Sequence, residues 1–209
     1  MPSVYSLKPR FQSLLLPLVR QFAQHGITAN QLTILACLLS IALGVLLVFL
    51  TPDTRWFLLL PPFLLLRMAL NAMDGMLARD FHQKSALGTY LNEICDVVSD
   101  SCLYAPFAWV ASFEPGWIAA VIVLTVISEM SGALAPMTGV GRRYDGPMGK
   151  SDRAVVFSAL AFWIGFGFQI PQLVSYLFPR VMAVMLALTV MNRVRSGLAE
   201  LHSQKQVRP

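Results

Sequence analysis

About six stretches of roughly 20 mostly apolar residues dominate the chain, each long enough to cross the hydrocarbon core of a bilayer as a helix. They fall near 30–51, 56–78, 86–112, 116–137, 152–170 and 176–195. Of 209 residues, 56% are hydrophobic and only 13% are charged, with mean hydropathy +0.62. A soluble chain is about one-quarter charged, so the polar side chains here are too few to coat a globule. The same apolarity excludes a disordered chain. The expected fold is all-α: an integral membrane bundle of about six transmembrane helices.

Lysine and arginine set the orientation of such a bundle. Thirteen of the sixteen basic residues fall on one face. Lys8, Arg10 and Arg20 are in the N-terminal arm, and Arg79 and Lys84 lie between the second and third stretches. Arg142, Arg143, Lys150 and Arg153 lie between the fourth and fifth, and Arg193, Arg195, Lys205 and Arg208 follow at the end. Arg55 stands opposite, while Arg67 and Arg180 lie within or near spans. Both termini are therefore expected on the cytoplasmic side, in a chain that suits a bacterial inner membrane. The net charge of +5 belongs to a membrane surface and its lipids rather than to nucleic acid, for which no motif appears.

Ahead of the first stretch, Leu7, Phe11, Leu14, Leu15, Leu18 and Phe22 recur at helical spacing between polar residues. That pattern predicts an amphipathic helix lying in the interface, not a signal peptide. The expected organisation is a juxtamembrane helix over 1–29, a six-helix transmembrane domain over 30–197 and a cytoplasmic tail over 198–209. Cys37, Cys95 and Cys102 fall within spans without CxxC or zinc spacing and read as packing residues.

Polar side chains inside a span are costly, and here they cluster at one place. Asn71 and Asp74 share a face at the end of the second stretch. Asn92, Asp96 and Asp100, four apart in succession, share a face at the start of the third. A turn between them brings the two faces together as a pocket of hard oxygen donors suited to Mg²⁺, Mn²⁺ or Ca²⁺. Gly75 and Ala78 leave a hollow beside Asp74, and Arg79 offers a fork of donors to phosphate. The combination reads as a metal-held, diphosphate-bearing substrate. Few cations sit at the depth of Asp96 and Asp100, which favours a ligand role over a structural ion pair. Glu129, in the middle of the fourth stretch, completes the acidic pocket or pairs with Arg67.

This segment resembles the signature of the CDP-alcohol phosphatidyltransferase family, DxxDGxxAR, eight residues, then GxxxDxxxD. Asp74, Gly75, Ala78, Arg79, Gly88 and Asp96 stand in register, and ITANQLT resembles the family's TPNxxT-like start, with Thr33 aligned. The resemblance implies a homodimer that transfers a phosphatidyl group from CDP-diacylglycerol to a small polar alcohol, free or phosphorylated, with release of CMP. It implies one or two divalent ions, Mg²⁺ or Mn²⁺, on Asn71, Asp74, Asn92 and Asp96, with Asp96 as general base. Thr33, Gly75, Ala78, Arg79 and Gly88 would hold the nucleotide diphosphate.

The chain departs from the signature at Asn71 and Asn92, which stand where the first and third aspartates belong. Asparagine offers a carbonyl oxygen but no charge, so metal affinity should fall. Asp100, one turn beyond Asp96, is the nearest replacement ligand. The alternative is a degenerate member that binds CDP-lipid or phospholipid without turning it over. A second constellation, GRRYDGPMGKSDRA over 141–154, surrounds two glycine-containing turns with Arg142, Arg143, Lys150 and Arg153. By resemblance it is the acceptor region; as sequence alone it is also ordinary positive-inside anchoring.

Overall fold

A computed structural model describes residues 7–207, with side chains described over 11–204. The side chains of Leu7, Lys8, Arg10, Lys205 and Arg208 lie outside that range. Helix α1 (Leu7–Gln24) precedes six bundle helices: α2 (Ala29–Leu50), α3 (Leu60–Asp80), α4 (Ala86–Tyr104), α5 (Pro115–Leu134), α6 (Lys150–Gly165) and α7 (Gln172–Val207). Short 3₁₀ turns over Thr54–Leu59, Ala105–Trp109 and Ala135–Thr138 lead into α3 and continue α4 and α5.

The helix starts are encoded locally. Thr28 and Gln31 form a reciprocal capping box at the head of α2, with bonds of 3.2 and 2.9 Å. The Ser85 hydroxyl accepts the Gly88 amide at the head of α4, and the Asp152 carboxylate accepts the Gly149 amide at the head of α6. Because the chain passes up and down, α2, α4 and α6 begin at the same end of the bundle, where α3, α5 and α7 finish. Three helix N-termini thus share one end with the basic loops. That end is called the polar end below.

Four segments are long and apolar enough to cross a membrane: Ala29–Leu50, Thr54–Asp80, Pro115–Thr138 and Gln172–Gln204. The other two bundle helices fall outside that set, α4 by its three acids and α6 by its length. Helix α4 holds Glu93, Asp96 and Asp100, and the 16-residue α6 opens with Lys150, Asp152 and Arg153. Both pack within the bundle, α4 against α2 and α5, and α6 against α3. Helix α7 continues through 198–207 without a break.

Packing divides the interior in two. Away from the polar end, Phe57, Tyr104, Phe107 and Phe157 form a fully buried aromatic core, with Tyr104 and Phe157 stacked at 3.8 Å. Nearer the polar end, Ala29, Leu32, Ala36, Leu70, Met73 and Leu77 join α2 to α3, and α1 docks on this cluster through Val19. Leu15, Leu16, Phe22 and Ala23 pack around Val19, whereas Leu14 and Leu18 are exposed on another face of α1. The helix expected in the interface is therefore apolar on two sides, one docked and one open. Leu38, Phe49, Leu65 and Val184 are exposed on the bundle exterior, the arrangement expected where lipid is the solvent.

Candidate active site

A cleft of about 330 Å³ opens at the polar end where α2, α3 and α4 meet. Thr33 comes from α2, Asp74, Gly75 and Ala78 from α3, and Gly88 and Asn92 from α4, with Arg142 entering from the α5–α6 loop. Asp74 is buried, and the Thr33 hydroxyl donates to its Oδ2 at 2.7 Å. A Cβ at Gly88 would lie 2.8 Å from the Asn30 Oδ1, so glycine is what lets the head of α4 approach α2. Gly75 has open space around it, on the side that faces the cleft.

The α4 face grades from cleft to core over two turns. Asn92 lines the cleft, Asp96 is partly buried and Asp100 is 1% exposed. Asp96 Oδ1 accepts from Asn71 Nδ2 at 3.0 Å and from the Lys150 ammonium, and Arg67 Nη2 stands 3.5 Å away. Arg67 Nη1 pairs with Asp100 Oδ1, and Arg153 Nη2 donates to Asp100 Oδ2 at 2.8 Å. The expectation that few cations reach this depth is corrected. Arg67, one turn ahead of Asn71 on α3, and Arg153, in the first turn of α6, engage both oxygens of Asp100, which is thereby committed to an ion network.

The four basic residues expected at an acceptor site part company. Arg142 Nη1 pairs with Glu93 Oε1, and its Nη2 lies 3.6 Å from Glu129 Oε2. Burial lowers the pKa of Arg142 from the usual arginine range, although a guanidinium remains cationic in a protein. Lys150 is on Asp96, and Arg153 is wholly buried between Asp100 and Glu129, at 2.8 and 2.9 Å. Arg143 turns away to Asp145 and Glu200. Arg79, expected on the diphosphate, does not line the cleft and pairs with its neighbour Asp80 at 2.8 Å.

Asn30, Gln83, Lys84, Thr89 and Glu93 also line the cleft, although the sequence assigned none of them to the site. Gln83 was legible only as a turn residue; its Oε1 accepts the Ala29 amide at 2.7 Å and ties the α3–α4 turn to the head of α2. Lys84 stands exposed on the rim, with no acidic partner among the described residues. Glu129 pairs with Arg153, Arg142 and Arg193 rather than with Arg67.

The donor set does not fit a pair of divalent ions. Of the four signature positions only Asp74 and Asp96 are carboxylates, and Asp96 already holds a lysine and an amide on one oxygen. Among the described residues no group of three or more His, Cys, Asp or Glu could hold a metal ion. Around the site, Arg67, Arg142, Lys150, Arg153 and Arg193 are set against Asp74, Glu93, Asp96, Asp100 and Glu129. With Lys84 on the cleft rim, six formal positive charges face five negative ones before any ion arrives. A site built for two dications would carry excess negative charge.

Comparison with known proteins gives the same grouping of helices and residues a family. The family model for CDP-alcohol phosphatidyltransferase matches residues 26–194. The chain belongs to the CDP-alcohol phosphatidyltransferase family. It is 40% identical over 196 residues to inner membrane protein YnbA of Escherichia coli (strain K12), covering 94% of this chain and 96% of that one. Its fold is similar to that of phosphatidylinositol phosphate synthase of Mycobacterium tuberculosis. The complex of that synthase with manganese and citrate superposes with TM-score 0.71 at 20% identity, covering 87% of this chain and 88% of the synthase. Its CDP-DAG-bound form gives the same score and identity, covering 87% of this chain and 92% of the synthase. The chain is an integral membrane helical bundle of this transferase family.

Proposed function

We propose that the chain transfers the phosphatidyl group of CDP-diacylglycerol to a small polar alcohol and releases CMP. The observation that carries this reading is the single cleft in which three helices bring together Thr33, Asp74, Gly75, Ala78, Gly88 and Asn92. The CDP-DAG-bound synthase of the same fold and the family match support the donor. The cleft lies at the polar end, so the acyl chains of the donor stay in the bilayer while its diphosphate enters among helix N-termini that favour anions. By the distribution of basic residues this end is cytoplasmic, and by family resemblance the chain works as a homodimer in an inner membrane.

In this reading Lys84 and Arg142 supply charge-assisted hydrogen bonds to the diphosphate. The acceptor hydroxyl attacks the phosphorus next to diacylglycerol, the bond to the CMP phosphate breaks, and CMP leaves with the bonding pair. The hydroxyl proton passes to Asp96. Lys150 occupies Asp96 Oδ1 until the diphosphate competes for the ammonium, which frees that oxygen for the hydroxyl. The Mg²⁺ or Mn²⁺ expected from the resemblance is reduced from two ions, because the seat at Asp96 carries Lys150. The binding-only alternative rests on that same contact: if Lys150 never leaves Asp96, the donor binds and nothing turns over.

Reconstituting the protein in vesicles with CDP-diacylglycerol and a panel of alcohols tests the reading by mass spectrometry of the lipids formed. A new phospholipid that depends on both donor and alcohol is expected. Lys84→Ala should raise the KM for the donor about tenfold, the worth of one charge-assisted hydrogen bond, with less change in kcat. No new lipid with any alcohol, together with retained donor binding, would favour the binding-only reading.

A further inference from the structure

Glu129 lies 7% exposed on α5, and three guanidiniums converge on its carboxylate. Arg153 Nη2 from α6 donates to Oε1 at 2.9 Å, Arg193 Nη2 from α7 lies 3.6 Å from the same oxygen, and Arg142 Nη2 from the α5–α6 loop lies 3.6 Å from Oε2. Arg193 Nη1 also donates to the Ser128 carbonyl on α5. Gly132, one turn further, admits the loop: a Cβ there would stand 2.5 Å from the Arg143 carbonyl oxygen and 3.3 Å from Arg193 Nη1. The cage adjoins the cleft through Arg142, which lines the cleft and touches Glu129.

Three converging guanidiniums are the donor array that recognises a phosphate. The Nε atoms of Arg142, Arg153 and Arg193 are all buried without a hydrogen-bond partner. Arg153 is shared with Asp100 and Arg142 with Glu93, but the three Nε donors remain beyond what these carboxylates satisfy. Yet its centre is filled by an anion that belongs to the chain. A phosphate entering the cage would have to displace Glu129, leaving a buried carboxylate without its counter-ions, or share the cage with it against like-charge repulsion. An uncharged alcohol meets neither obstacle, because its hydroxyls accept from Arg142 and donate to carboxylates.

We infer that Glu129 is a specificity-determining residue that occupies the phosphate seat of the acceptor region and restricts the acceptor to an uncharged polyhydric alcohol. The inference rests on the transferase reading for the word acceptor, but the exclusion of phosphate from the cage can be read without turnover.

The test uses full-length protein in detergent, as wild type and as Glu129→Gln. Thermal unfolding is followed in inorganic phosphate or sn-glycerol 3-phosphate and in chloride at equal ionic strength. No anion-specific rise in midpoint is expected for wild type, and a rise is expected for Glu129→Gln, where the cage has lost its resident anion. In parallel, CMP release from CDP-diacylglycerol is compared for glycerol and sn-glycerol 3-phosphate, and for inositol and inositol phosphate. Wild type should favour the uncharged alcohol by about tenfold or more in kcat/KM, and Glu129→Gln should shift the ratio toward the phosphate ester. Preference of wild type for a phosphate ester, or phosphate stabilising wild type as much as the variant, overturns the inference. If Glu129→Gln does not fold, the wild-type acceptor ratio and wild-type anion response still decide. If no alcohol releases CMP, the transferase reading fails while the unfolding arm continues to report on the cage.

Discussion

Asp100 shows how little of an ion network is written in local sequence. Its spacing from Asp96 places both on one helical face, and that much is legible. The partners that change its meaning are Arg67, 33 residues earlier, and Arg153, 53 residues later. No periodicity links them, because the bundle topology and not a helical repeat brings α3, α4 and α6 together. Asn71 and Asp74 show the same limit: they share a face, yet Asp74 is held by Thr33 across to α2 while Asn71 turns its amide to Asp96 on α4. The network yields a prediction that separates a structural acid from a metal ligand. Asp100→Ala leaves Arg67 only its weaker contact to Asp96 and Arg153 only Glu129, and should cost about 3 kcal/mol in unfolding experiments in mixed detergent, with or without divalent ions. A variant of wild-type stability that had lost only metal binding would return Asp100 to the ligand set.

Among the elements, the six apolar stretches were legible because bilayer thickness fixes a length that the sequence must supply. Their ends were less so. The third stretch, expected over 86–112, ends its α-helix at Tyr104 and continues as a 3₁₀ turn to Trp109, where Pro106 interrupts the backbone donors. The last, expected to end at 195, continues as α-helix, because its polar residues after Asn192 are as compatible with helix as the apolar ones before. The 139–149 loop, which carries Arg142 to the cleft, read as glycine-containing turns, and its attachment to α5 depends on a contact no motif announces. The Arg143 amide donates to the Gly132 carbonyl at 3.3 Å, and the Arg143 carbonyl packs against the Gly132 Cα. Gly132→Ala should push this loop off α5 and cost about 1–3 kcal/mol, the usual penalty for overpacking, as read by thermal unfolding. A variant of unchanged stability would show that the loop is held elsewhere.

On the scale of the whole molecule, the polar end is a site without excess negative charge inside an apolar bundle. Counting Lys84, six cations stand against five acids, and the two asparagines of the signature contribute to that by removing negative charge. Titration of Mn²⁺ against the purified protein, followed by electron paramagnetic resonance of the free ion, should show fewer than the two ions of a two-metal centre. Replacing Asn71 and Asn92 by aspartate and Lys150 by glutamine together should increase the number bound. Two tightly bound ions on the unaltered chain would contradict the charge argument.

The family signature was legible because its residues sit on two adjacent helices joined by a five-residue turn, so register in sequence becomes register in space. The ion cage around Glu129 was not, since Arg142, Arg153 and Arg193 reach it from the α5–α6 loop, α6 and α7, which the signature does not include. Phosphatidyl transfer in this cleft with Asp96 as base is measured by CMP release from CDP-diacylglycerol in the presence of alcohols, with wild type and Asp96→Asn side by side. Alcohol-dependent release by wild type, with loss of about 100-fold or more in Asp96→Asn at unchanged donor affinity, is the predicted result. Equal release by both proteins, or none from wild type with every alcohol, would contradict it.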